Sequence, residues 1–135
     1  MSDRKSISAA ASRISAYVRH TPVLQADLDS GPPVTLKLEL LQHAGSFKPR
    51  GAFNRLLSAD RPAGGVIAAS GGNHGAAVAY AARSLGLIAE IFVPAATPAA
   101  KVARIASYGA RVVQIGDTYA EALIASRARQ AFDAE

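Results

Sequence analysis

Cysteine and tryptophan are both absent from this 135-residue sequence. Without cysteine there is no disulfide framework, no thiolate nucleophile and no sulfur-ligated zinc. The three histidines, His20, His43 and His74, lack the spacing of metal ligands, so no metal is expected. Aromatic residues are few, four Tyr and four Phe, and the basic residues form no block. Of the 15 Lys and Arg behind the net charge of +5, 11 are arginines scattered along the chain. A nucleic-acid platform needs clustered basic residues interleaved with stacking rings, so no nucleic-acid partner is expected. No run of about 18 apolar residues occurs and the N-terminus is polar, so the reading is a cytoplasmic protein without a membrane span. What remains is half hydrophobic and 19% charged, the composition of a globular chain with one domain or barely two. Its wealth of alanine predicts a core of small aliphatic side chains.

Residues Ser6–Val18 place Ile7, Ala10, Ala11, Ile14, Tyr17 and Val18 at helical spacing, and "RHTP" stops the pattern before Pro22. "VTLKLELL" (34–41) reads as a strand, broken by "QHAGS", and a short helix follows Pro49. From Gly64 the pattern is regular. "GVIAAS", "AEIFVP" and "ARVVQIG" are short apolar runs, each followed by a helical segment. "TPAAKVARIASYG" carries Thr97 as N-cap, Pro98 at the first turn and a terminal glycine; Asp117 or Thr118 caps the last helix. Apolar strands alternating with helices predict right-handed βαβ units and a three-layer α/β fold with an open parallel sheet. The chain stops on the third helix, where a further strand is expected, so it reads as truncated.

Two stretches carry chemistry. Only four lysines occur, Lys5, Lys37, Lys48 and Lys101. Lys48 lies in "GSFKPRG", with an apolar flank from Phe47 and backbone room from Gly45 and Gly51. A desolvated amine there loses its proton more easily and becomes a nucleophile toward carbonyl carbon. In "ASGGNHGAAVAYAA" (69–82), an apolar strand runs through Ser70-Gly71-Gly72-Asn73-His74-Gly75 into a helix. The unpaired amides of a helix start make an anion site, and ligands of open α/β sheets collect at the strands' carboxyl ends. The spacing matches no nucleotide fingerprint. A plain strand-to-helix turn, with glycines serving geometry alone, fits the same residues.

"GSFKPRGAFN" with "SGGNHG" resembles the fold-type II family of pyridoxal-phosphate (PLP) enzymes, nearest its serine/threonine dehydratase and serine racemase branch. The resemblance runs from "TPV" (21–23) through "FVP" (92–94) to "YGARVV" (108–113) and implies the tryptophan synthase β-like PLP fold. It implies that Lys48 holds PLP as a Schiff base and then takes the substrate α-proton. By the same resemblance Asn73 hydrogen-bonds the cofactor's phenolic oxygen and Phe47 packs beside it. Ser70, Gly71, Gly72, Asn73 and His74 form the substrate-carboxylate loop, chiefly through backbone N–H groups. It further implies that residues 1–60 belong to a large PLP domain and 61–135 to a small α/β domain lacking its last part. The full-length enzyme would be a homodimer acting on a small amino acid.

One residue departs from the racemase pattern. The serine that precedes Gly-Asn-His there, the acid opposite the lysine, is Gly71 here. Elimination is thereby favoured: a β-hydroxy amino acid would give a 2-oxo acid and ammonia. The family's glycine-rich phosphate cradle and its partner for the pyridine nitrogen do not occur in this chain, so the 135 residues alone are expected to be inactive. An amino acid racemase, a β-replacement enzyme of the same fold and a non-catalytic small-anion-binding module stay open as alternatives.

Overall fold

The computed structural model describes residues 3–28, 31–59 and 65–132. The domain boundary expected between residues 60 and 61 lies outside the described residues.

The first helix, α1 (Arg4–Ile14), starts where Asp3 Oδ1 accepts from the Ser6 amide at 2.7 Å. It ends four residues before the expected Val18. Ser15 Oγ donates to the Ser12 carbonyl, and Tyr17 leaves the helix to stack on Phe53 with ring centres 5.2 Å apart. Packing of one aromatic ring thus overrides the helical repeat. A strand that the sequence reading missed follows, β1 (Val23–Ala26). It pairs antiparallel with β2 (Val34–Lys37), Val23 opposite Lys37.

β2 is half the length expected for 34–41. The apolar alternation continues, yet Glu39–Leu41 folds into a short 3-10 turn. The cause is the Glu39 carboxylate. It accepts from Arg50 Nε and Nη2, both at 2.8 Å, and from Thr21 Oγ1 at 2.6 Å. These contacts turn residue 39 inward, out of strand register. A second 3-10 turn (His43–Gly45) contains two consecutive left-handed residues, Ala44 at φ 53° and Gly45 at φ 62°. Helix α2 (Lys48–Ser58) begins directly after it, and Pro49 sits in its first turn, where a missing N–H is harmless.

The second half follows the sequence pattern. Strands β3 (Val66–Ala69), β4 (Ala89–Val93) and β5 (Arg111–Gln114) form a parallel sheet in the order β3-β4-β5. Crossovers carry α3 (Asn73–Ser84) and α4 (Ala99–Ala106) over one face, where they pack on each other. α5 (Tyr119–Phe132) returns across β3 and β4 on the other, which makes three layers. The central strand β4 is accordingly buried at every residue. Its one charged residue, Glu90, is held by Arg111 at 2.6 Å and Arg129 at 3.2 Å. Thr118 and Glu121 cap α5 reciprocally: Thr118 Oγ1 accepts from the Glu121 amide, and Glu121 Oε2 accepts from the amides of Asp117 and Thr118. The expected Thr97 cap does not form. Pro98 itself occupies the cap position with extended ψ of 138°, and α4 starts at Ala99.

The core is built from small residues, as the alanine content predicts. Ala76, Ala77, Ala79, Ala81 and Ala82 of α3 are all buried, which lets α2 and the sheet approach closely. Pro49, Ala52 and Phe53 of α2 are buried as well. The Phe53 ring meets Tyr80 edge-on, and Tyr80 stacks on His43. These contacts fix the lysine-bearing helix against the helix that opens at Asn73.

Candidate active site

Lys48 is the first residue of α2, reached through the left-handed turn at Ala44 and Gly45. It is half-buried, and its ammonium lies 5.0 Å from the centre of the Phe47 ring. Phe47 is 58% exposed, so among the described residues the mouth around the amine is open rather than dry. Two residues on, Arg50 forms the two-pronged bond to Glu39 and ties the first turn of α2 to the end of β2. Arg50 holds the Glu39 carboxyl far below its ordinary value, at about 2.

The loop at 70–75 leaves the carboxyl end of β3. Ser70 extends the sheet by donating its amide to the Phe92 carbonyl at 3.0 Å. That N–H is therefore spent, and Ser70 contributes its hydroxyl instead, which accepts from the Gly72 amide at 3.3 Å. Gly72 takes the N-cap position of α3, and no side chain caps the helix. The amides of Asn73, His74 and Gly75 precede the first intrahelical bond, from Ala76 to the Gly72 carbonyl, and form the donor-rich end of the helix. Gly75 is required by geometry. A Cβ there would overlap the Ser70 carbonyl oxygen and lie 3.1 Å from Ile91 Cγ2. Gly72 faces open space, whereas a Cβ at Gly71 would lie 3.2 Å from Thr97 Cγ2.

α2 and the turn at 43–45 pack on α3, and this brings the amine toward the loop. The loss of hydration around the ring and then the positive charge of Lys48 hold the His74 imidazole below its ordinary value. The imidazole is therefore neutral at pH 7. The sequence reading missed two residues here, and one of them, Arg104, connects the parts. Arg104 of α4 donates from Nη2 to the Ala44 carbonyl at 2.6 Å and from Nη1 to Asn73 Oδ1 at 3.3 Å. Ser46 Oγ, two residues before Lys48, is buried without a hydrogen-bond partner among the described residues. Ser46 lay inside the quoted motif. Arg104 is 31 and 60 residues from its partners, a separation no local pattern reveals.

The ensemble offers an amine for a carbonyl carbon, a carboxamide donor and a row of helix-start amides for an anion. No group of three or more His, Asp or Glu able to hold a metal occurs among the described residues. Among the same residues no helix is long and apolar enough to cross a membrane.

Residues 14–134 match the family described as "Pyridoxal-phosphate dependent enzyme". The chain is 44% identical over 127 residues to the L-threo-3-hydroxyaspartate ammonia-lyase of a Pseudomonas species, covering 83% of this chain and 40% of that enzyme. It is 43% identical over 116 residues to the phenylserine dehydratase of Ralstonia pickettii, covering 82% and 36%. The structure superimposes on maize serine racemase with a TM-score of 0.92 at 36% identity, over 98% of this chain and 42% of that one. The chain thus spans about two-fifths of the length of these relatives. With motif, fold and relatives in agreement, the chain belongs to the pyridoxal-phosphate dependent enzyme family, and its fold is the fold-type II architecture of that family.

Proposed function

We propose that the protein is a PLP-dependent serine/threonine dehydratase-type lyase, converting a β-hydroxy amino acid to a 2-oxo acid and ammonia. The observation that supports this reading is the packing of α2, which opens at Lys48, on α3, which opens uncapped at Asn73, with a bare Gly71 in the loop before it. The substrates named for the three relatives are 3-hydroxyaspartate, phenylserine and serine. All three share an α-amino group, an α-carboxylate and a β-hydroxyl.

The donors present fit the aldehyde and the ring oxygen of PLP. Lys48 supplies the amine for its aldehyde, the Asn73 carboxamide a donor for its ring oxygen, and Phe47 an apolar flank. When bound, PLP supplies an electron sink for negative charge at the substrate α-carbon. The helix-start amides at Asn73, His74 and Gly75 receive the substrate carboxylate, together with the loop residues Ser70, Gly71 and Gly72. The carboxylate fixes the α-carbon beside Lys48, whose Nζ takes the α-proton. Neutral His74 adds no second positive charge to Lys48. The β-hydroxyl leaves as water, and a water molecule then hydrolyses the resulting 2-imino acid, so that the α-carbon becomes the carbonyl and the nitrogen leaves as ammonia. Gly71 holds no proton to return to the opposite face of the α-carbon, so elimination prevails over racemisation. Residues 1–60 belong, in this reading, to the large PLP domain and 61–135 to the small one. The full-length enzyme is a cytoplasmic homodimer, and the 135 residues alone are inactive for want of a phosphate cradle.

The test is 2-oxo acid release from L-serine, L-threonine and L-threo-3-hydroxyaspartate by the full-length protein. Lys48→Ala is expected to lower the rate by at least about 10³-fold. The likeness to maize serine racemase supports a second reading, racemisation, which the same assay follows through D-amino acid formation. Gly71→Ser should raise racemisation relative to elimination, once Thr97 shifts by a few tenths of an ångström to admit the new Cβ. A wild-type enzyme that forms D-amino acid as fast as 2-oxo acid contradicts the lyase assignment.

A further inference from the structure

Arg104 bridges two segments that the lyase reading leaves unconnected. Its helix is anchored by the buried neighbour Ile105, and its guanidinium reaches out between the turn before Lys48 and the start of α3. One prong, Nη2, donates to the Ala44 carbonyl at 2.6 Å. That carbonyl belongs to the left-handed pair Ala44 and Gly45, a conformation an alanine adopts only when its surroundings enforce it. The same Nη2 lies 3.3 Å from where a Cβ on Gly45 would sit, so the glycine also makes room for the guanidinium. The other prong, Nη1, donates to Asn73 Oδ1 at 3.3 Å.

A guanidinium has five donors and no acceptor. Whichever way the Asn73 amide turns, only its oxygen can face Arg104 with a bond. The NH₂ is then directed away from α4, free to donate to another group. Without Arg104 the amide could present either end, and its oxygen would repel an anionic ligand oxygen. We propose that Arg104 is a positioning residue, which fixes the Asn73 carboxamide with its NH₂ toward the cofactor's ring oxygen and clamps the turn that delivers Lys48. The inference rests on the role given to Asn73 under the proposed function. The ligand group concerned is an aromatic oxyanion, and Arg104 acts on it through Asn73 rather than by contact.

The experiment is a double-mutant cycle on PLP binding in the full-length protein. The variants are Arg104→Met, which keeps the aliphatic stem and drops the donors, Arg104→Lys, Asn73→Ala and the Arg104→Met/Asn73→Ala pair. The readouts are the PLP dissociation constant, the pH midpoint of the visible absorbance band of lysine-bound PLP, and the thermal midpoint of the apoprotein. Arg104→Met is expected to weaken PLP binding by about three- to tenfold and to move the pH midpoint. Arg104→Lys should restore part of both. In the Asn73→Ala background the effect of Arg104→Met should shrink to the part carried by the bond to the Ala44 carbonyl, because the interaction with Asn73 is already gone. An equal effect of Arg104→Met in both backgrounds, or a lower apoprotein thermal midpoint with an unchanged absorbance midpoint, overturns positioning through Asn73. If Asn73→Ala itself leaves binding and spectrum unchanged, the role of Asn73 fails, and the inference fails with it. If Asn73→Ala has its effect but Arg104→Met has none, only the role of Arg104 fails.

Discussion

At the scale of single residues, the loop between β3 and α3 depends on which glycines have room. A methyl group on Gly75 would overlap the Ser70 carbonyl, a backbone atom with no freedom to move aside. On Gly72 it would meet nothing within 4 Å. Gly75→Ala is therefore expected to destabilise the fold by roughly 2–4 kcal/mol, whereas Gly72→Ala should stay within about 1 kcal/mol. Urea midpoints of the two variants check this, and equal midpoints would contradict the packing described for the strand-to-helix turn. The sequence showed three glycines in this loop but not which of them was indispensable. That distinction comes from the Ser70 carbonyl oxygen, which occupies the space a side chain on Gly75 would need and is set there by how steeply the chain turns from sheet into helix. The Ser70 amide illustrates the same limit. The resemblance implied a ligand donor, while the extended sheet ladder commits this N–H to the Phe92 carbonyl.

At the scale of elements, Glu39 decides where β2 ends and how α2 is seated. Its carboxyl is lowered from 4.5 to about 2, first by the Arg50 hydrogen bonds and, against the opposing effect of burial, by Thr21. The folded state holds this carboxylate charged while the unfolded chain protonates it near 4.5. Its contribution to stability is therefore complete above the unfolded value and is lost as pH falls from about 4.5 toward 2. A shift of this size corresponds to an order of 3 kcal/mol at about 1.36 kcal/mol per unit. His43 and His74, both lowered, act in the same direction from pH 6.5 downward, since the unfolded chain takes up their protons first. Glu39→Gln should reduce stability at pH 7 and flatten its decline between pH 4.5 and 2, as read by thermal midpoints across that range. A decline as steep as the wild type's would contradict the role given to the Glu39–Arg50 pair. The alternation of "VTLKLELL" predicted a strand through residue 41, and local pattern could predict nothing else. The pair that stops it spans eleven residues and a change of direction.

At the scale of the whole molecule, the parts read correctly from sequence are those built from neighbours in sequence. Each βαβ unit of the second half announces its strand, its helix and its turns within about 25 residues, so the parallel sheet was legible. The β1–β2 hairpin was half missed, because β1 is short, exposed and without strong patterning. The site was legible as two motifs. Their approach depends on α2 packing against α3 through Phe53 and a bed of alanines, and on the Arg104 bridge. Beside α2 and β3 lies a cavity of about 380 Å³ that includes His74 and Gly51 in its lining. It places open space next to the same helix turn that carries the amine.

The central claim is that Lys48 is the amine that takes PLP. The most direct measurement is to incubate the protein with PLP, reduce with borohydride and locate the added mass by peptide mass spectrometry. The account predicts the label on the peptide containing Lys48, and no label at that position after Lys48→Ala, with loss of the visible absorbance band. Stoichiometric label on Lys5, Lys37 or Lys101 instead, or a band unchanged by Lys48→Ala, would contradict it.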